Sequence, residues 1–389
     1  VDDYSQQVDA RALAAAVGMA VGDPEATVEG WHVEPLRGLG FGAAIHRVSG
    51  TASHRGVRVP WSVIRKQVRD AGDSPADFSY WRREPVAYAC GLLAELNGVA
   101  APRCFAQTED ADGVVLWLED LADGDGGGWT VERYALVARG LGQLGGAYAG
   151  GRLVPDRPWL SQGLLASWVE QAAAGFEVFA EAVRDPLLAR LYPPEVAAVM
   201  VELWQARGRI CAILAGWPQV LSHLDAVPAN VIVGGGRTYL IDWAFVGRAA
   251  LGEELAPLAA GSGLFGGLPA EHLPAIDRVA FPAYLDGLRE AGWSGDPARV
   301  RFAYCASAAL RYCVALTTWL VRGINPDGTS ADVGGLRNPG QRALFESFFE
   351  RPFTKVQQEF GASFRFLATG LGAEALELLP RVTGPGAGR

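Results

Sequence analysis

Lysine is almost missing from this chain. Lys66 and Lys355 are the only two among 34 basic residues, and the rest are arginine. That bias speaks of GC-rich codons rather than function, but it gives each surviving lysine a reason to be questioned. A basic surplus is missing as well. The formal net charge is -9 and the sequence pI is near 5.2. Nucleic acid and anionic membrane surfaces both require a basic footprint, so neither is an expected partner. Cys90, Cys104, Cys211, Cys305 and Cys313 are odd in number and lack a C-x-x-C pair, so they read as reduced thiols in a cytoplasm rather than as a disulfide frame. Five scattered histidines do not make a zinc site. No apolar run is long enough to span a bilayer. Val1-Asp2-Asp3-Tyr4 does not read as a signal peptide, and no repeat at solenoid or propeller periods is found. The G-x-x-x-x-G-K-[ST] signature is not present, which excludes a P-loop nucleotide site.

What is present is a globular balance, 50% hydrophobic and 20% charged over 389 residues, enough for two lobes and a sizeable core. A short amphipathic helix is expected over 6–17, closed by Gly22-Asp23-Pro24. Strands are expected over 28–36, 43–48 and 59–68, the first two joined by Gly38-Leu39-Gly40-Phe41-Gly42. In the third strand Ser62, Ile64, Lys66 and Val68 share one face, and Arg65 points the other way. A helix follows from about Tyr80 to Leu96, with Pro85 placing Glu84 at its start or at a kink. A strand over 114–121 runs into Ala122-Asp123-Gly124-Asp125-Gly126-Gly127-Gly128, a flexible linker by composition. The lobe boundary is placed there, giving lobes 1–121 and 122–389. Beyond it the character is helical: from the N-cap Thr130 to Gly150-Gly151, over 161–183, over 194–214, and over 297–321. In the last, Tyr304, Ala308, Tyr312, Ala315 and Trp319 form a stripe read as core. The end from Thr383 is rich in Gly and Pro and expected to fray.

The densest stretch is His223-Leu224-Asp225-Ala226-Val227-Pro228-Ala229-Asn230. A tight hairpin follows: Val231-Ile232-Val233, the turn Gly234-Gly235-Gly236-Arg237, then Thr238-Tyr239-Leu240-Ile241-Asp242. One amide and two carboxylates at the ends of short strands suit phosphoryl transfer. One Asp accepts a hydroxyl proton, while hard oxygens of Asn and the other Asp hold Mg²⁺.

This stretch resembles the H-x-D-x-x-x-x-N and I-D motif pair of the aminoglycoside phosphotransferase and choline kinase family, small-molecule relatives of the protein kinases. The resemblance implies an α+β, bilobal protein-kinase-like fold with a small β-rich N-lobe, a larger helical C-lobe and ATP between them. It implies Asp225 as catalytic base, His223 as scaffold of the loop, and Asn230 and Asp242 as Mg²⁺ ligands. It makes the Gly40 and Gly42 turn a nucleotide loop and Lys66 the phosphate-binding lysine, paired with Glu84. The backbone at Glu119 and Leu121 becomes a hinge for the adenine edge. The sequence departs from the pattern at Leu224, where Gly is usual, at Ala226, where Leu is common, and at Glu254, which stands for an Asp after the metal ligand. Nothing resembles the D-F-G and A-P-E signatures, so a protein substrate is the weaker reading. The expected reaction moves the γ-phosphoryl group of ATP to a hydroxyl of a small molecule. A catalytically silent nucleotide- or ligand-binding protein of the same fold is the alternative. Glu170, Glu177, Glu181, Asp185, Glu253, Glu254, Asp277, Asp286 and Glu290 outnumber the arginines of their helices. An acidic wall of this kind would favour a cationic or neutral acceptor, such as an aminoglycoside-like antibiotic or an amino sugar.

Overall fold

The computed structural model describes residues 8–36, 43–70, 74–77, 79–110, 112–124, 128–184, 186–316 and 353–383. Gly40, Gly42, Asp185 and Trp319 lie outside the described residues. The chain forms two compact units, neither of them one continuous piece. The first takes residues up to Gly127 together with Arg157–Leu160 and Val231–Val246, and the second takes the remainder.

The first unit begins with helix α1 (Ala10–Val21). The Asp9 carboxylate caps it by accepting from the amides of Arg11 and Ala12, and Gly22 closes it at φ 74°. Strands β1 (Thr27–Leu36), β2 (Ala43–His54) and β3 (Val57–Arg69) follow, then helix α2 (Arg83–Ala89), β4 (Cys104–Asp110) and β5 (Gly113–Glu119). The strands pair antiparallel in the order β1-β2-β3-β5-β4. Alternation gives the sheet two apolar faces. Trp61, Val63, Val115 and Trp117 pack with Leu13, Ala16 and Val17 of α1. Val114, Leu116 and Leu118 pack with Ile64, Val68, Trp81 and Tyr88. Lys66 falls between Ile64 and Val68 on this second face.

The helix expected to reach Leu96 stops at Ala89. Gly91 adopts φ 75°, a left-handed value that ends the helix, so Leu92 and Leu93 belong to turns. Pro85 causes no break. It is the third residue of α2, where no intrahelical amide partner is required. Strand β4, unmarked by any clear alternation, is held by its pairing with β5.

The unit is completed by the hairpin β8 (Val231–Gly234) and β9 (Arg237–Leu240), numbered in chain order. The Ala100 amide donates to Thr238 O, the Leu240 amide donates to Ala100 O, and the Gly124 amide donates to Val233 O, at 2.8, 2.8 and 2.9 Å. These bonds tie the hairpin to the sheet unit, although it stands more than a hundred residues later and after the linear boundary at 121.

The second unit contains α3 (Val131–Ala149), β6 (Ser161–Gln162), α4 (Leu164–Glu177), α5 (Phe179–Ala182), α6 (Pro186–Leu191), α7 (Pro194–Gly216), β7 (Gln219–Ser222), β10 (Gly247–Ala250), α8 (Leu255–Ala260), α9 (Leu273–Glu290) and α10 (Pro297–Ala309). Helices α11 (Phe353–Arg365) and α12 (Ala373–Thr383) close the described chain. Thr130 caps α3, its hydroxyl accepting from the Arg133 amide. Helices α3 and α9 approach closely because Gly142 carries no side chain. A Cβ there would stand 2.1 Å from Tyr284 O. The helix expected over 161–183 is a short strand and two helices, entered at Gly163 with φ 64°. The long helix expected from Pro297 is α-helical to Ala309 and then widens into a π-helical turn, Leu310–Ala315. Tyr304, Ala308, Tyr312 and Ala315 are all buried there, as core. Among the described residues no helix is long and apolar enough to cross a membrane.

Candidate active site

The first unit gathers Lys66, Glu84 and Asp242. Strand β3 presents Lys66 on the face that α2 covers. Lys66 Nζ lies 2.6 Å from Glu84 Oε2 and 2.9 Å from Asp242 Oδ1. The side chains of Lys66 and Glu84 are 7% and 2% exposed, whereas Asp242 keeps 30%. Only Asp242 therefore combines an ion pair with access from outside. Burial alone would lower the Lys66 pKa, but the carboxylates of Asp242 and Glu84 outweigh it and hold the ammonium charged. Burial pushes the Glu84 carboxyl upward against the pull of Lys66. Glu84 also accepts the Trp243 amide at 3.3 Å, which joins α2 to the residue after Asp242. Asp242 itself has φ 63°. A left-handed non-glycine residue is strained by about 1–3 kcal/mol and persists only where its surroundings over-determine it. Arg83, fully buried, supplies part of that determination. It donates to Trp159 O at 2.8 Å, Ala244 O at 2.8 Å and Asp77 O at 2.7 Å, fastening separate segments of the unit around the Asp242 turn.

Glu119 ends β5. Its amide donates to Arg103 O at 2.8 Å, and its side chain accepts from Arg103. Leu121 follows the strand directly. Between them Asp120 accepts from Arg47 Nε at 2.8 Å and from the Ser62 hydroxyl, so the end of β5 is anchored to β2 and β3.

The second unit holds the 223–230 loop, which leaves β7 and closes in a 3₁₀ turn at Pro228–Asn230. His223 is fully buried, and its Nδ1 accepts the Asp225 amide at 3.2 Å. That geometry fits a scaffold, with the ring proton on the other nitrogen. Asp225 Oδ2 accepts from Asn230 Nδ2 at 3.0 Å, and the same amide group bonds Asp225 O at 3.0 Å. The Asn230 amide nitrogen is thus spent on Asp225, which leaves its amide oxygen as the group able to ligate a cation. Asp225 Oδ1 accepts from Arg311 Nη2 at 2.7 Å, and Arg311 Nη1 also donates to Leu224 O. Arg311 was not foreseen. It sits in the apolar run Ala309-Leu310-Arg311-Tyr312-Cys313-Val314, where a lone guanidinium was the available signal.

Two of the three departures from the resembled pattern, Leu224 and Glu254, meet in this loop. Leu224 has φ 66°, the left-handed region that the usual Gly would enter without strain. Its amide donates to Glu254 Oε2 at 3.0 Å and its carbonyl accepts from Arg311. Glu254 thus bonds the loop from the position where the family carries an Asp. It is 3% exposed, and desolvation drives its pKa up to about 8 despite the amide bond from Leu224. Its neighbour Glu253 accepts the Ala250 amide at 2.8 Å, and desolvation raises it to about 7.

The expected acidic wall does not form as anticipated. Glu253 and Glu254 are buried and bonded to backbone amides. Asp277 pairs with Arg301, Asp286 with Arg289, and Glu290 with Arg139. Glu170, Glu177 and Glu181 are exposed on α4 and α5 as solvated helix faces. Counting acids in sequence missed Arg301 and Arg139 because they come from other elements.

The residues singled out by the motif resemblance thus fall into two groups: Lys66, Glu84 and Asp242 in one unit, and His223, Asp225 and Asn230 in the other. Among the described residues there is no cluster of three or more His, Cys, Asp or Glu able to hold a metal ion by itself. Mg²⁺ does not require one. It keeps several waters and binds through one or two protein oxygens plus phosphates, and the Asp242 carboxylate and the Asn230 amide each carry an oxygen of that hard kind.

No family model and no curated protein sequence matches the chain. Solved structures do share its fold. The spectinomycin phosphotransferase APH(9)-Ia, in complex with ADP and spectinomycin, is 13% identical, with TM-score 0.51, over 91% of this chain and 99% of that one. Choline kinase from Cryptosporidium parvum Iowa II is 12% identical, with TM-score 0.50, over 90% of this chain and 92% of that one. At such identity the likeness is one of fold, and the chain has the α+β, protein-kinase-like fold of these small-molecule kinases.

Proposed function

We propose that this protein is an ATP-dependent phosphotransferase that moves the γ-phosphoryl group to a hydroxyl of a small molecule. The observation that carries the reading is the buried Lys66–Glu84 pair reaching Asp242, in a fold otherwise found with ADP bound in the spectinomycin phosphotransferase. Lys66 holds the nucleotide phosphates as a point charge, and Glu84 fixes where that charge stands. Asp242 and Asn230 would hold Mg²⁺, which would supply charge neutralisation on the phosphate oxygens. The backbone at Glu119 and Leu121 receives the adenine edge. Asp225 orients the acceptor hydroxyl. As the acceptor oxygen bonds to the γ-phosphorus, the bond from phosphorus to the β–γ bridging oxygen breaks and ADP leaves. The hydroxyl proton passes to Asp225, whose carboxylate oxygens each retain a lone pair beyond the bonds to Arg311 and Asn230.

The acceptor is a hydroxylated compound such as an aminoglycoside-like antibiotic or an amino sugar, and antibiotic inactivation is one role this would serve. The reaction belongs in the cytoplasm, where ATP is at hand and cysteine thiols stay reduced. The test is ADP release from Mg-ATP over a panel of hydroxylated amines, sugars and antibiotics, with Asp225→Asn as control. Turnover in the parent and a loss of about 10²–10⁴ in kcat in the variant are expected. Tight Mg-ATP binding with no ADP release from any acceptor would leave the silent nucleotide-binding protein instead.

A further inference from the structure

We infer that Arg311 is a positioning residue for Asp225, locking both the backbone and the carboxylate of the catalytic loop from the π-helical turn after α10. This rests on the reading of Asp225 as the base. Arg311 is 5% exposed, and burying a guanidinium is costly unless its charge is met. The charge is met at the loop. One arm of the fork bonds Leu224 O, and the other bonds Asp225 Oδ1 at 2.7 Å. The guanidinium carbon lies 5.0 Å from the ring centre of Trp168 in α4 and 5.1 Å from that of Tyr312. Aromatic surfaces on two elements thus fix the orientation of the planar group.

The local backbone explains why the residue is needed. Leu224 is held at φ 66°, the left-handed region that a residue with a side chain enters only under strain. A loop under that strain relaxes unless it is tied. Glu254 ties the Leu224 amide and Arg311 ties the Leu224 carbonyl, so the strained peptide groups are gripped on both sides. Asn230 takes the second oxygen of Asp225, which leaves the carboxylate plane no freedom to rotate. The π-helical turn adds a residue to the helical repeat, and such turns re-aim a side chain that a regular helix would point elsewhere. Lysine would not replace this arginine, because one ammonium lacks the planar fork that spans the two acceptors.

The test measures kcat, the KM for ATP and the Kd for Mg-ATP in the parent, Arg311→Lys, Arg311→Met and Arg311→Ala. ADP release is followed with the best acceptor of the panel and with water alone. Lys66, Glu84 and Asp242 belong to the other compact unit, and Asn230 bonds the Asp225 backbone oxygen as well as its carboxylate, so Kd and KM for ATP should change far less than kcat. A misplaced reacting group costs about 10²-fold, so kcat should fall by that order in Arg311→Met, with partial recovery in Arg311→Lys. Low millimolar guanidinium should restore kcat in Arg311→Ala, while methylammonium should not, because only the former reproduces the fork. If Arg311→Met does not fold, the kcat of Arg311→Lys decides. An active parent with unchanged kcat in Arg311→Lys or Arg311→Met overturns the role of Arg311 alone. Loss of kcat together with equal loss of Mg-ATP binding would mark a general structural defect and also overturn it. A parent that releases no ADP under any condition overturns the functional reading, and this inference falls with it.

Discussion

Replacing Glu254 with Gln isolates a strongly perturbed buried carboxyl. The carboxyl is buried, accepts the Leu224 amide at 3.0 Å, and is raised by desolvation from 4.5 to about 8. Between those two values the folded protein holds one proton more than the unfolded chain. Stability is therefore fully present below about pH 4.5, falls as pH rises, and has lost this contribution once pH passes about 8. At 1.36 kcal/mol per pH unit the whole loss is about 5 kcal/mol, and between pH 5 and pH 7.5 it is about 3 kcal/mol. Gln keeps an oxygen for the Leu224 amide but does not ionise. Parent and Glu254→Gln should thus be similarly stable at pH 5, and the variant should gain on the parent by about 1.4 kcal/mol for each pH unit above that. Urea unfolding at half-unit steps from pH 5 to pH 8, followed by tryptophan fluorescence, gives both curves. Every other titrating group is common to the two proteins and cancels in their difference. Parallel curves across the whole range would refute the argument, because Glu254 would then ionise alike in the folded and unfolded chain.

Lys66→Met removes the cation from between two carboxylates. Uncompensated burial of Glu84 should cost about 3–5 kcal/mol in unfolding free energy, and kcat/KM for ATP should drop sharply, with Lys66→Arg failing to restore it; near-parent activity in Lys66→Met would remove Lys66 from the site. Asp242→Ala and Asn230→Ala should each weaken nucleotide binding in the presence of Mg²⁺ far more than in its absence, which calorimetric titration with ATP resolves. Equal Mg-ATP affinity in parent and Asp242→Ala would place the metal elsewhere. Arg83→Met strips charged donors from three backbone carbonyls around the Asp242 turn, and a loss of about 3 kcal/mol in unfolding free energy is expected; a loss below about 0.5 kcal/mol would show that those carbonyls find other partners.

Much of the candidate site was legible in the sequence because the residue types proposed for it stand close together along the chain. Phosphoryl transfer demands particular side-chain types at fixed distances along the chain, and His223, Asp225, Asn230 and Asp242 fall within one loop and one hairpin. Period-two alternation marked β3 and put Lys66 on the same face as Ile64 and Val68. The glycine-rich turn at 234–236 marked the hairpin, and Thr130 marked the start of α3. These signals depend on bonds and alternation within a few residues, so they survive without knowledge of the rest of the fold.

The long-range partners were settled by tertiary packing. Lys66 and Asp242 are 176 residues apart in sequence, and Arg311 and Asp225 are 86 apart. Composition could count the acids near the loop, but it could not tell that Asp277 faces Arg301 or that Glu253 and Glu254 are dehydrated, because burial is a property of what packs around a residue. Nor could it foresee the π-helical turn that carries Arg311, whose run of apolar neighbours reads as plain core. Local pattern named the groups able to do the chemistry. Packing of distant elements decided which charges are buried, which are paired, and which strained peptide groups are held in place.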